Sequence, residues 1–107
     1  MVKELWTRKE MLIVLAYYST LGYPKVVDRL AAQECSLFLR SRSVASVSLR
    51  LANYVARDPQ MARAGFKGMY GGGEKVDQIW DECSDRDGIL DWRKVMMALL
   101  EETTEHA

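Results

Sequence analysis

Apolar residues recur along most of this chain at the three- and four-residue spacing of an amphipathic helix, interrupted at glycine, proline and serine-rich turns. Met11, Leu12, Leu15, Tyr18 and Leu21 form the first stripe. Before it, Thr7 and Glu10 stand at capping-box spacing and Trp6 and Met11 at hydrophobic-staple spacing; after it, Gly22-Tyr23-Pro24 is a stop signal. This predicts a first helix over residues 8–21. Val26, Val27, Leu30, Ala31, Cys35 and Phe38 keep the period and predict a second helix, ending in a turn at 39–42. A third helix is predicted over 44–56, with Ser43 as N-cap and Asp58-Pro59 as its end. On a helical wheel Val44, Val47, Leu51, Tyr54 and Val55 share one side, and Ser46, Arg50, Asn53 and Arg57 the other.

Residues 60–73 lose the period. Gly65, Gly68 and the run Gly71-Gly72-Gly73 predict a flexible connection around Lys67, serving as a hinge or as a loop that follows a phosphate backbone. Gly-Phe-Lys-Gly is not a phosphate-binding P-loop, since no Ser or Thr follows the lysine. Val76, Ile79, Trp80 and Cys83 then predict a fourth helix over 74–83, with Trp80 as a core anchor. Trp92, Val95, Met96, Leu99 and Leu100 predict a fifth over 91–102, capped by Asp91, with one of Met96 and Met97 exposed. Residues 103–107 are expected to fray. The chain therefore reads as a single all-α domain: a three-helix helix-turn-helix core (5–58), a Gly-rich loop (59–73) and a two-helix extension (74–102).

Composition narrows the function classes. At 107 residues and 49% hydrophobic, the chain suits one modest core. Its longest apolar run, Met11 to Tyr18, is far short of a membrane span, and the N-terminus lacks a secretory pattern, so a cytoplasmic protein with no membrane partner is expected. Cys35 and Cys83 lack zinc-site spacing and read as buried free thiols. The formal net charge is zero, but the charges are segregated along the chain. Residues 40–67 carry Arg40, Arg42, Arg50, Arg57, Arg63 and Lys67 against Asp58 alone, whereas 68–107 hold ten acids and four bases. A basic middle suggests an anionic partner.

Catalysis finds little to use. The single histidine, His106, lies in the tail, and no nucleophile, base or paired-carboxylate arrangement can be assembled around it, so no enzyme and no cofactor is expected. Asp85-Arg86-Asp87-Gly88 suggests a calcium loop, but the register set by Gly88 puts Cys83 first and Lys94 twelfth, where carboxylates are required, so no metal is expected.

Trp-Thr-Arg-Lys-Glu (6–10), Leu39 to Tyr54, Asp58-Pro59, Gly65-Phe-Lys-Gly68 and Gln78-Ile-Trp-Asp-Glu82 follow one another in an order and spacing that resembles the small DNA-binding domain N-terminal to HNH-type restriction endonucleases. More distantly, the Trp-led first helix is similar to Myb/SANT-like modules. The resemblance covers about residues 5–83, and Leu39 stands where that family tends to have a turn glycine. It implies that the segment from Arg40 to Asn53 reads DNA.

Two functions from different classes are carried forward. The first is sequence- or shape-dependent binding of duplex DNA, linked to restriction, defence or transcriptional regulation. Arg40, Arg42, Arg57 and Lys67 would contact phosphates, Ser46, Arg50 and Asn53 would reach base edges, and Ser43, the N-cap, is counted with them among the DNA-binding residues. The second is a protein-interaction or inhibitor module acting through the acidic C-terminal helices, with a protein partner or a second copy of the chain.

Overall fold

The structure, a computed structural model, describes residues 5–20, 29–39 and 41–105. All regular elements among them are helices: α1 (Arg8–Thr20), α2 (Arg29–Ser36), α3 (Val44–Val55), α4 (Pro59–Arg63), α5 (Gly73–Glu82) and α6 (Trp92–Glu105). The expected start of the second helix at Val26 and the first helix's stop signal at Gly22-Tyr23-Pro24 lie outside the described residues. No helix among them is long and apolar enough to cross a membrane.

Local chemistry starts α1, α3, α4 and α6 where their caps stand. Thr7 and Glu10 exchange bonds across the first turn of α1: Thr7 N donates to Glu10 Oε1 (3.0 Å) and Glu10 N to Thr7 Oγ1 (3.1 Å). Ser43 caps α3, its hydroxyl accepting from Ser46 N at 3.1 Å. Asp58-Pro59 ends α3 and also begins α4, a helix absent from the sequence reading. Asp58 is its N-cap, accepting from Gln60 N at 2.9 Å, and Pro59 occupies the first turn, where a missing N–H does no harm. At α6, Asp91 accepts from Arg93 N at 3.0 Å.

α1 is the central element. It packs against α3, α5 and α6, while α2 packs on α3. Met11, Leu12, Val14 and Leu15 are buried along it. Tyr18, Tyr54 and Trp80, from α1, α3 and α5, meet with ring centroids 6.0–6.1 Å apart. Their polar ends are all satisfied: Tyr18 Oη donates to Asp58 Oδ2 (2.6 Å), Tyr54 Oη to the Met11 carbonyl (2.9 Å) and Trp80 Nε1 to the Gly88 carbonyl (3.1 Å). Cys35 and Cys83 are buried free thiols, each pushed up to about 11 by burial.

α5 and α6 are joined by a turn closed by a single antiparallel bridge, Ser84 to Leu90. Asp85 Oδ1 accepts from the amides of Asp87 and Ile89, and the Lys94 ammonium donates to the Ser84 carbonyl at 2.9 Å. Among the described residues no three His, Cys, Asp or Glu side chains come together as a metal site.

Candidate functional site

The most organised polar region surrounds Trp6, at the junction of α1, α3 and α5. Glu10, held by the capping box, faces Arg42 in the turn before α3. Arg42 grips it with two bonds of 2.8 Å, Nε to Oε2 and Nη2 to Oε1, and Nη2 also donates to the Leu5 carbonyl at 2.7 Å. Its guanidinium lies 4.8 Å from the centroid of the Trp6 ring. The bonds from Arg42 hold the Glu10 carboxyl down to about 2 against the opposing effect of burial, with Thr7 adding to the lowering.

Arg50, two turns into α3, stands in a different situation. Its guanidinium is also 4.8 Å from the Trp6 centroid, and Nη1 donates to Asn53 Oδ1 at 3.2 Å. Among the described residues no carboxylate lies within ion-pairing distance of it, whereas Arg8, Arg42 and Arg57 each have at least one. Its Nε is buried with no hydrogen-bond partner. Desolvation lowers its proton affinity, Tyr54 opposes this, and the neighbouring charges of Arg42 and Arg57 lower it further. Arg50 is thus a half-buried, uncompensated cation, an arrangement that favours an anion brought from outside.

A groove of about 630 Å³ opens beside it, walled by Trp6, Leu49, Arg50, Gly72 and Lys75. The Lys75 ammonium donates to the Trp6 carbonyl at 3.1 Å, and Ser46 completes the α3 wall. The groove also meets the first turn of α5, whose N-cap is Gly72 at φ +82° with no side chain to satisfy the leading amides. Glu74 is the acid among the lining residues and is exposed.

The glycine-rich segment is fastened onto α3 rather than acting as a hinge. Met69 N donates to the Ala52 carbonyl at 3.1 Å, an oxygen that also accepts from Ala56 N in the last turn of α3. Asn53 Nδ2 donates to the Met69 carbonyl at 2.7 Å, and Arg57 Nη2 to the Gly71 carbonyl at 3.1 Å. Gly68, at φ +64°, lies so close that a Cβ there would stand 2.5 Å from the Ala52 oxygen. Gly72 lies equally close, a Cβ there falling 2.4 Å from Arg50 Nη1.

These contacts redistribute the expected site residues. Ser46 and Arg50 line the groove, and Arg42 lies beside it on Trp6. Ser43 is committed as N-cap. Asn53 is only 1% exposed, so it secures the strap and has no route to a base edge. Arg57 is occupied by Asp77 (2.5 Å), the Asn53 carbonyl and the Gly71 carbonyl, which removes it from the phosphate-contacting set. Lys67 is exposed on a separate hollow beside Phe66 and Tyr70. Arg40 lies outside the described residues. The basic surplus of residues 40–67 is likewise smaller in space than along the chain, because Glu10 and Asp77, from elsewhere, neutralise Arg42 and Arg57.

Trp6, Leu49, Gly72 and Lys75 belong to the groove but were not among the expected site residues. Trp6 and Leu49 carried a signal: a staple aromatic ahead of a cap, and an apolar residue on the polar side of a wheel. Lys75 gave none, since only the folding of α5 onto α1 and α3 brings it there. Compared with known proteins, the chain matches no family model, no curated protein and no solved structure.

Proposed function

We propose that this chain binds duplex DNA through its phosphate backbone, with the Trp6–Arg50–Lys75 groove as the anion-contacting site and the first half of α3 as the element laid against the duplex. The observation that carries this reading is Arg50, a half-buried guanidinium with no carboxylate among the described residues and an uncapped helix N-terminus opposite. α2, the turn and α3 are read as a helix-turn-helix. Ser41, Ala45, Ser48 and Leu49 stand exposed at the turn and on the early part of α3, small enough to permit close approach, with Leu49 available to a thymine methyl. In this reading Arg42, Asn53 and Arg57 shape the site, and Arg50 and Lys75 contact the ligand.

The test is fluorescence anisotropy with labelled random-sequence duplex at about 50 and 200 mM salt. Binding should fall steeply with salt, and Arg50→Gln should weaken it about tenfold or more while leaving the circular dichroism unchanged. A folded wild type that fails to bind at the lower salt, or an Arg50→Gln variant that binds as well as wild type, would remove the proposal. The second reading, a protein-interaction module, is favoured by one observation of its own: the exposed apolar face of α6.

A further inference from the structure

α6 is apolar on two sides. Val95 and Ala98 are buried against the core, yet Trp92, Met96, Met97 and Leu100 remain 61%, 42%, 59% and 57% exposed. One such residue on a surface needs no explanation; four on adjacent turns of one helix form a continuous strip. Arg93, Met97, Leu100 and Thr104 follow the i, i+4, i+7, i+11 spacing of a helix-pairing seam, and Trp92 and Met96 border it.

The charges on this strip are arranged about its middle. Arg93 and Glu101, both exposed, lie four residues to either side of Met97, roughly 6 Å along the axis in each direction. A shallow groove of about 290 Å³ lies between Met97, Leu100, Glu101 and Thr104, on the Glu101 side of that midpoint.

We propose that this face is covered by α6 of a second copy of this chain, packed antiparallel about a twofold axis at Met97. The two Met97 side chains meet on the axis. The same rotation carries Arg93 of one copy to the level of Glu101 of the other, so its stem fills the groove beside Leu100 and its guanidinium reaches the Glu101 carboxylate. A single patch complementary to itself is what a closed twofold dimer requires, and a cation and an anion equidistant from Met97 supply that complementarity. The strip is short, so the dimer is of modest affinity and dissociates on dilution.

The mass of the full chain in solution, followed by sedimentation over a range of concentrations, tests this. Wild type should pass from 12.2 kDa to twice that value as concentration rises. Met97→Glu should shift the midpoint at least about tenfold upward. Arg93→Glu and Glu101→Arg should each self-associate more weakly than wild type, since each places like charges opposite one another. Mixing those two variants should restore a dimer containing one of each, because every cross pair is then opposite in sign. A wild type that stays monomeric at the highest attainable concentration overturns the proposal, as does a dimer indifferent to Met97→Glu, or single variants that fail to pair when mixed.

Discussion

Glu10 completes the capping box of α1, receives both bonds of the Arg42 fork and so ties the start of α1 to the turn before α3. Its carboxyl is held at about 2 in the folded chain against an ordinary value near 4.5. Because the folded value is the lower one, the stabilisation is present above pH 4.5 and is lost as pH falls toward 2. Glu10→Gln should therefore destabilise the protein by on the order of 1–3 kcal/mol at neutral pH, with the difference from wild type narrowing through that acid window. Denaturant melts of both proteins at neutral and acid pH check this; a constant difference would mean that Glu10 acts through packing and not through its charge. At this scale the sequence was legible where the partner is a near neighbour: Thr7 with Glu10 and Ser43 with Ser46 were evident from spacing alone. It was not legible for Glu10 with Arg42, or for Arg57 with Asp77, because nothing along the chain marks residues 32 or 20 positions apart as partners.

Among the elements, the strap over residues 68–72 departs most from what its composition suggests. Five glycines within nine residues read as freedom, but Gly68 and Gly72 are used for contact: each lies where a side chain would strike α3 or a residue anchored on it. Gly68→Ala should lower the melting temperature by at least about 4 °C, corresponding to about 1 kcal/mol or more. Gly65→Ala is the comparison, since Gly65 shares a positive φ (+92°) but has nothing within 4 Å of its would-be Cβ. Equal losses at the two positions would show that backbone conformation alone, and not the seating of the strap, sets the effect. The strap also explains why the wheel of α3 misled: its polar side was assigned to DNA contact, whereas Asn53 and Arg57 turn to the strap's carbonyls. α4 was overlooked for a related reason, since Asp-Pro reads equally as the end of one helix and the start of the next.

Across the whole molecule, the helical periods, the caps and the apolar anchors Tyr54 and Trp80 were readable, because burial leaves a repeating mark in sequence. The groove was not, because it exists only where three non-adjacent elements meet. The buried thiols give a test at this scale. Cys35 sits in α2 and Cys83 at the end of α5, both 0% exposed, with burial holding each near 11. A thiol reagent at neutral pH should modify both only as fast as the structure opens, and mild denaturant should accelerate the two together. Faster modification of Cys35, resolved by mass spectrometry, would show that α2 detaches on its own and that the molecule does not open as one unit. The internal neutralisation of arginines has a last consequence, for approach rather than attachment. A chain of zero formal net charge, with Arg8, Arg42 and Arg57 already answered by its own carboxylates, casts little field beyond a Debye length. If the partner is the duplex DNA proposed above, association should proceed at the unsteered pace of about 10⁵–10⁶ M⁻¹s⁻¹, with selectivity set by the dissociation rate, as stopped-flow mixing would show.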